Sequence, residues 1–285
     1  MSWCFDGRVE FTRRSFLAAA GGCAAVVAGC GPERAEPRGQ DGAVRYSYGD
    51  HPSQYAELTL PTGSTPAPVV VVVHGGYWTA RYGAELGRPL ATDLAARGFA
   101  ALNVEYRRVG DGGGWPQTGE DVAAAVDALR ERPDRLDLDH VVGLGHSAGG
   151  QLVGWLAARR GAAVALTGAV LQAGVLDLAR GSELGLGDGA VDAFLGGTPR
   201  QVPQAYAQAS PMALVPLGVR TVAVHGTRDG RVPIEQSRDF VAAAVAAGDR
   251  AEIRTFDGDH FDPITVGTEA WDLCVAALTR LTGLG

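Results

Sequence analysis

The sequence predicts an α/β fold, a mainly parallel β-sheet with helices on both faces and a short cap insertion. Three observations carry this. Val69 to Val73 is a run of five valines, β-branched and without alternation, the pattern of a strand covered on both faces. Strand-like and helix-like segments alternate along most of the chain, as they do when crossover helices connect parallel strands. Finally, Gly145-His146-Ser147-Ala148-Gly149-Gly150 joins an apolar run to a helical one, giving strand, tight turn and helix in succession.

The elements follow in order. Gln54 to Leu60 alternates loosely and stops at Pro61, as a strand does before a turn. Thr62 to Pro68 is rich in Pro, Gly, Ser and Thr and reads as that turn. After the valine strand, Gly83 to Arg97 is amphipathic and ends at Gly98, a helix with its C-cap. Phe99 to Tyr106 is the next strand. Thr118 to Arg132 is an Ala-rich helix with Glu120 and Asp121 near its start and Arg130 and Arg132 near its end, matching the helix dipole. His140 to Leu144 is a strand, and Gln151 to Arg160 belongs to the helix after the turn. Gly168 to Ala173 is a further strand. Leu178 to Leu214 then breaks the alternation with many Gly and Pro and two short helical pieces; it is the candidate cap. Strand Arg220 to Val224, helix Ile234 to Ala247, strand Glu252 to Phe256 and helix Thr265 to Leu281 complete the body. Ligands of such sheets bind at the carboxyl ends of the strands.

Three regions are expected: residues 1–30 as a targeting segment, 31–42 as a tether and 43–285 as one domain, with the cap at about 178–214. Thr12-Arg13-Arg14-Ser15-Phe16-Leu17 is a twin-arginine pattern. The apolar stretch from Phe16 to Cys30 has 15 residues, short for a bilayer span of ~20. It ends in Val27-Ala28-Gly29-Cys30, which resembles a bacterial lipobox; Cys23 is a poorer match. The expectation is export, with a lipid on Cys30 tethering the protein to the outer face of the cytoplasmic membrane or within the envelope. The competing reading is cytoplasmic, with a mis-assigned start. With Cys30 as the new N-terminus, Cys274 is the only thiol left, so no internal disulfide forms. Its apolar, helically spaced setting makes it a packed small hydrophobe.

Composition removes several chemistries. All 25 basic residues are Arg and none is Lys, which excludes a Lys Schiff base, a Ser–Lys dyad and a phosphate-binding P-loop Lys. A net charge of −7 without a basic cluster argues against nucleic acid. No His-Glu-x-x-His or clustered Cys set is present, so no metal or other cofactor is expected. Oligomeric state has no signature in the sequence.

The chemistry gathers around Ser147. Flanking glycines thrust its side chain up at the end of a strand, and the N–H of Ala148 opens a helix where a developing oxyanion is stabilised. A serine hydroxyl needs a general base, and that base needs an orienting carboxylate. Of six histidines, only His225 and His260 follow Ser147. His225 sits directly after an apolar strand, whereas His260 lies in the loop Asp257-Gly258-Asp259-His260-Phe261-Asp262-Pro263, so His260 is the expected base. Asp229, 31 positions earlier, follows the preceding strand with room for one helix and one strand between, and is the expected acid. Asp257, Asp259 and Asp262 are its rivals, too close in sequence to reach the far side of the imidazole easily. The loop His74-Gly75-Gly76-Tyr77-Trp78 after the valine strand is the second source of oxyanion donors, its glycines letting backbone N–H groups turn inward. His74 is expected to hold that loop by hydrogen bonds. Tyr77 and Trp78 either line the site or pack; Trp78 and His146 are the candidates for the substrate pocket.

Taken together, His74-Gly75-Gly76-Tyr77-Trp78, Gly145-His146-Ser147-Ala148-Gly149-Gly150, Ala209-Ser210-Pro211, His225-Gly226-Thr227-Arg228-Asp229 with Val232-Pro233, and Asp259-His260-Phe261 resemble the α/β-hydrolase-fold serine esterases. The chain resembles the kynurenine formamidase-like and acetyl-esterase-like groups near the hormone-sensitive lipase group. The resemblance implies Ser147 as nucleophile, Asp229 as acid and His260 as base, with oxyanion donors in the loop Gly75, Gly76 and Tyr77 and at Ala148. Tyr77 departs from the lipase group, which has a third Gly there. The implied substrate is a small-molecule carboxylic ester. Arylformamide hydrolysis is the first alternative, against which the export signal counts; a small peptidase and a binding protein on an inactive fold follow.

Overall fold

The computed structural model describes residues 42–63, 66–132 and 135–284. The expected targeting segment, Arg13-Arg14, Cys30 and the expected tether up to Asp41 lie outside the described residues. The strands are β1 (Val44–Ser47), β2 (Tyr55–Thr59), β3 (Ala67–Val73), β4 (Ala100–Val104), β5 (Leu136–His146), β6 (Gly168–Gln172), β7 (Arg220–Gly226) and β8 (Ala251–Phe256). They form one eight-stranded sheet in the order β1-β2-β4-β3-β5-β6-β7-β8. β1 and β2 pair antiparallel, β2 meets β4 antiparallel, and every pairing from β4 to β8 is parallel.

The helices are α1 (Arg88–Ala96), α2 (Gln117–Asp127), α3 (Ala148–Ala157), α4 (Leu178–Glu183), α5 (Leu186–Leu195), α6 (Pro203–Ala209), α7 (Pro211–Leu214), α8 (Glu235–Ala246) and α9 (Glu269–Thr282). The five valines show why the sheet is buried on both sides. Val69, Val71 and Val73 enter one core with residues of α2 and α3, while Val70 and Val72 enter the other with residues of α1 and α9. All five are at most 2 % exposed, and burying a valine side chain contributes about 1.5–3 kcal/mol.

Several elements differ from the sequence reading. β1 was not expected; it is a four-residue edge strand, too short to show a period. The helix expected over Gly83 to Arg97 is a 3₁₀ turn followed by α1, which begins with Pro at its first turn. The helix expected from Thr265 starts later, at Glu269, because Thr268 caps it through a hydrogen bond from the Trp271 N–H at 3.1 Å. The segment 178–214 carries α4 to α7, more helix than its Gly and Pro content suggests. Cys274 is buried, and burial pushes its thiol up to about 12, so it is unreactive.

Candidate active site

Ser147 occupies the corner between β5 and α3. Its backbone sits at φ 54° and ψ −116°, a conformation that L-residues adopt only when their surroundings enforce it. The corner is enforced by hydrogen bonds. The Ser147 N–H donates to the Gln172 carbonyl at 2.8 Å, and the Ser147 carbonyl accepts from Gly150 and Val175 N–H at 3.0 and 3.2 Å. Gly149 is dictated by contact, because a Cβ there would lie 2.1 Å from the Val73 carbonyl oxygen. Gly75 is dictated similarly: its Cβ would meet the His146 carbonyl oxygen at 2.8 Å, so the loop after β3 approaches the corner backbone to backbone. Ala148 is the first helical residue; its N–H has no intrahelical acceptor and lies at the positive end of the α3 dipole.

His260 lies in the loop after β8. Its Nδ1 is 2.7 Å from Asp229 Oδ2, and both side chains are almost completely buried. Every group around the Asp229 carboxylate is a donor. Oδ1 accepts from the N–H groups of Arg231 and Val232 at 2.8 and 2.9 Å. Oδ2 faces His260 Nδ1 and, at 3.2 Å, His225 Nε2. Burial alone raises this carboxyl, but the hydrogen bonds from His225 and His260, the charge of His260 and the Val232 N–H outweigh it and hold it well below the ordinary carboxylate range. The rivals are engaged elsewhere. Asp257 pairs with Arg228 at the surface, Asp259 accepts from the Phe261 N–H, and Asp262 accepts from the Asp259 N–H.

His225 is the residue that sequence reasoning passed over. Its Nε2 also lies 2.9 Å from the Val232 carbonyl, and its Nδ1 is 2.8 Å from Ser237 Oγ. Since Nε2 faces two oxygens that only accept, it carries the ring proton. His225 is thus a fixed donor to Asp229. The only sequence signal was a histidine ending an apolar strand four residues before an aspartate.

His146 is held behind His260. Its Nε2 is 2.9 Å from the His260 carbonyl oxygen, and the two ring centroids are 4.6 Å apart. Burial and the neighbouring His260 push His146 down to about 3, so it is neutral above that pH. The acid limb of the activity is therefore expected to report a group other than His146. His146→Gln is expected to leave the midpoint of the acid limb of kcat/KM in place while lowering kcat several-fold, as an amide still donates to that carbonyl. A midpoint moved by about one pH unit would show that His146 titrates in the working range.

The loop after β3 runs through three left-handed residues, Gly76, Tyr77 and Trp78, with φ of 110°, 52° and 55°. His74 fixes its base. Nδ1 is 2.8 Å from the Gly75 carbonyl, Nε2 is 3.2 Å from Glu105 Oε1, and the ring stacks on Tyr106 at 4.3 Å. Burial raises the Glu105 carboxyl, but His74 and the Ala84 and Tyr106 N–H groups bring it below its ordinary value. Trp78 corrects the sequence reading. It is fully buried, stacks on Phe194 at 4.4 Å and donates to Gln151 at 2.9 Å, so it is a packing residue and not a pocket wall. Its indole is large and apolar, and its N–H finds an acceptor inside.

These elements line a cavity of about 190 Å³ with Ser147, His260, His146, Gly76 and Tyr77 in its wall, together with Tyr82, Leu86, Phe261, Ile264 and Arg231. Ser147 and His260 thus face one space, and Asp229 holds the imidazole from behind. Among the described residues no group of three or more His, Cys, Asp or Glu is placed to hold a metal ion. A serine and a histidine that line one cavity, the imidazole held through Nδ1 by a carboxylate, are suited to nucleophilic attack on a carbonyl.

The sheet, the crossover helices and this corner define an α/β-hydrolase. A family model described as BD-FAE matches residues 57–243. The chain belongs to the BD-FAE family. It is similar to Esterase LipC of Mycobacterium tuberculosis, with 30% identity over 232 residues, 69% of this chain and 53% of that protein. The chain therefore spans about half the length of that relative. Among solved structures it resembles a bifunctional GH43-CE protein of Bacteroides eggerthii, with TM-score 0.73, 22% identity and coverage of 84% of this chain and 35% of that one. It also resembles a truncated carbohydrate esterase from gut microbiota, with TM-score 0.74, 19% identity, and 86% and 99% coverage. A third is a thermophilic esterase of Thermogutta terrifontis, with TM-score 0.70, 22% identity, and 84% and 92% coverage.

Proposed function

We propose that this protein is a serine hydrolase that cleaves small carboxylic esters through an acyl-enzyme. The observation that carries this is the 2.7 Å contact between His260 Nδ1 and Asp229 Oδ2 behind a cavity that Ser147 and His260 share. The name of the relative LipC, an esterase, supports the same reading. Ser147 Oγ attacks the ester carbonyl while His260 Nε2 takes its proton. The N–H groups of Ala148, Gly76 and Tyr77 stabilise the oxyanion, and Gly75 sets the approach of that loop. His260 then gives the proton to the departing alcohol. Water, deprotonated by His260, attacks the acyl-Ser147 ester; the carboxylic acid leaves and Ser147 is regenerated. Asp229 remains a carboxylate throughout and keeps the Nδ1–H tautomer that leaves Nε2 free.

The test is turnover of acyl esters of rising chain length beside an N-formyl aryl amide and aminoacyl amides. Ester hydrolysis exceeding that of both amides by orders of magnitude is expected. Preference for the formamide would replace the reading by arylformamidase, and preference for the aminoacyl amides by a peptidase.

For location we propose export by the twin-arginine route and a lipid on Cys30. The support is the order Arg13-Arg14, weakly apolar segment, Val27-Ala28-Gly29-Cys30. Acyl chains contribute about 0.8 kcal/mol per buried CH₂, and more than one is needed for stable anchoring. Cys30→Ala is expected to move the protein from the membrane fraction or leave it unprocessed. Recovery of wild-type protein as soluble and cytoplasmic with Met1 intact would refute export.

A further inference from the structure

Beside the catalytic cavity lies a second, open space of about 440 Å³. The two share Gly76, Tyr77, Tyr82 and Arg231 as a common wall. The open groove continues along Thr79 and Arg81 on one side and the cap residues Leu184 to Asp188 on the other. Its shape and chemistry differ from those of the cavity. Leu86, Phe261 and Ile264, all apolar, line the cavity alone, whereas Arg81 lines the groove alone and Arg231 lines both.

The two arginines differ from those on adjacent segments in having no carboxylate partner among the described residues. On the neighbouring segments Arg228 pairs with Asp257, Arg238 with Glu235 and Arg180 with Glu183. Among the described residues Arg81 and Arg231 enter no ion pair with a carboxylate. Arg81 lies over the Tyr82 ring, 5.7 Å from its centroid, and Arg231 lies beside Tyr77, whose hydroxyl donates to the Arg231 carbonyl at 3.3 Å. Asp188 is the one acidic side chain on the groove wall, so the wall carries an excess of positive charge in a chain whose net charge is −7. A guanidinium offers a planar fork of donors matched to a carboxylate.

We propose that this groove is a binding site for an anionic group, a carboxylate, on the alcohol portion of the ester, with Arg81 and Arg231 as its recognition residues. The mainly apolar cavity takes the acyl chain, and the alcohol portion extends into the groove. The assignment rests on the ester-hydrolase reading above.

The experiment uses three esters with one acyl chain length: a neutral ester, one with a carboxylate on the alcohol portion and one with the carboxylate at the end of the acyl portion. The wild-type enzyme is expected to favour the alcohol-side anion over the neutral ester in kcat/KM by about tenfold, and to lose that ratio as salt rises to about 0.5 M. The double variant Arg81→Gln with Arg231→Gln should bring the ratio to about one, and Arg81→Glu with Arg231→Glu should invert it. Equal kcat/KM for the neutral and alcohol-side anionic esters in the wild type overturns the proposal, as does a ratio unchanged by the charge reversal. Preference for the acyl-side anion alone overturns the orientation assigned to the substrate. Failure of the wild type to hydrolyse even the neutral ester would instead overturn the esterase reading itself.

Discussion

Ser147→Ala is expected to lower kcat for a chromogenic ester by about 10⁴–10⁶-fold. On the proposed mechanism the imidazole and the oxyanion donors remain, but no oxygen is left at the corner to form an acyl-enzyme, and only orientation of water persists. The fold should survive. The corner is held by backbone groups of Ser147, its N–H on Gln172 and its carbonyl on Gly150 and Val175, none of which the substitution removes. Alanine at φ 54° is strained to about the same degree as serine. Thermal melting within a few degrees of the wild type, together with the lost turnover, is the expected pair of results. Retained turnover would place the nucleophile elsewhere.

Asp229→Asn is the second large effect, expected at about 10⁴-fold in kcat. The four neighbours of the carboxylate, the N–H groups of Arg231 and Val232 and the ring nitrogens of His225 and His260, all present hydrogens. An amide has one oxygen and one NH₂, so one side must place donors against donors. If the oxygen stays on the backbone pair, the NH₂ faces His260 Nδ1, which must then become an acceptor. The proton moves to Nε2, and the ring can no longer take the Ser147 proton. A buried mismatched donor also costs about 1–3 kcal/mol of stability. The carboxyl is held below its ordinary value, so its contribution to stability is present above an unfolded value of about 3.9 and is lost as pH falls through the folded one. The stability gap between wild type and Asp229→Asn should therefore narrow below about pH 4 in denaturant titrations. A mild Asp229→Asn beside a damaging Asp257→Asn or Asp259→Asn would identify another acid.

Local pattern determined a large part of this protein. Five valines are enough for a two-sided strand, because burial on both faces removes the need for alternation. Gly145-His146-Ser147-Ala148-Gly149 marks a turn in which neighbouring backbones touch, since only glycine leaves the room that a Cβ on Gly149 would take from Val73. The order of strands and helices, and the choice of Ser147, Asp229 and His260 as candidates, come from signals confined to a few residues each.

Tertiary structure alone decided what touches what. Trp78 turns inward onto Phe194, 116 positions away along the chain, and nothing in His74-Gly75-Gly76-Tyr77-Trp78 foretells it. His225 becomes a donor to Asp229 only because Ser237 and Val232 fix its tautomer. His146 grips the carbonyl of His260 across 114 positions, and β1 exists only because it has β2 to pair with. The physical reason is the same in each case. Backbone period and steric permission are properties of neighbouring residues and are written in the sequence. The partner of a buried polar group is set by which distant segments packing brings within hydrogen-bond reach.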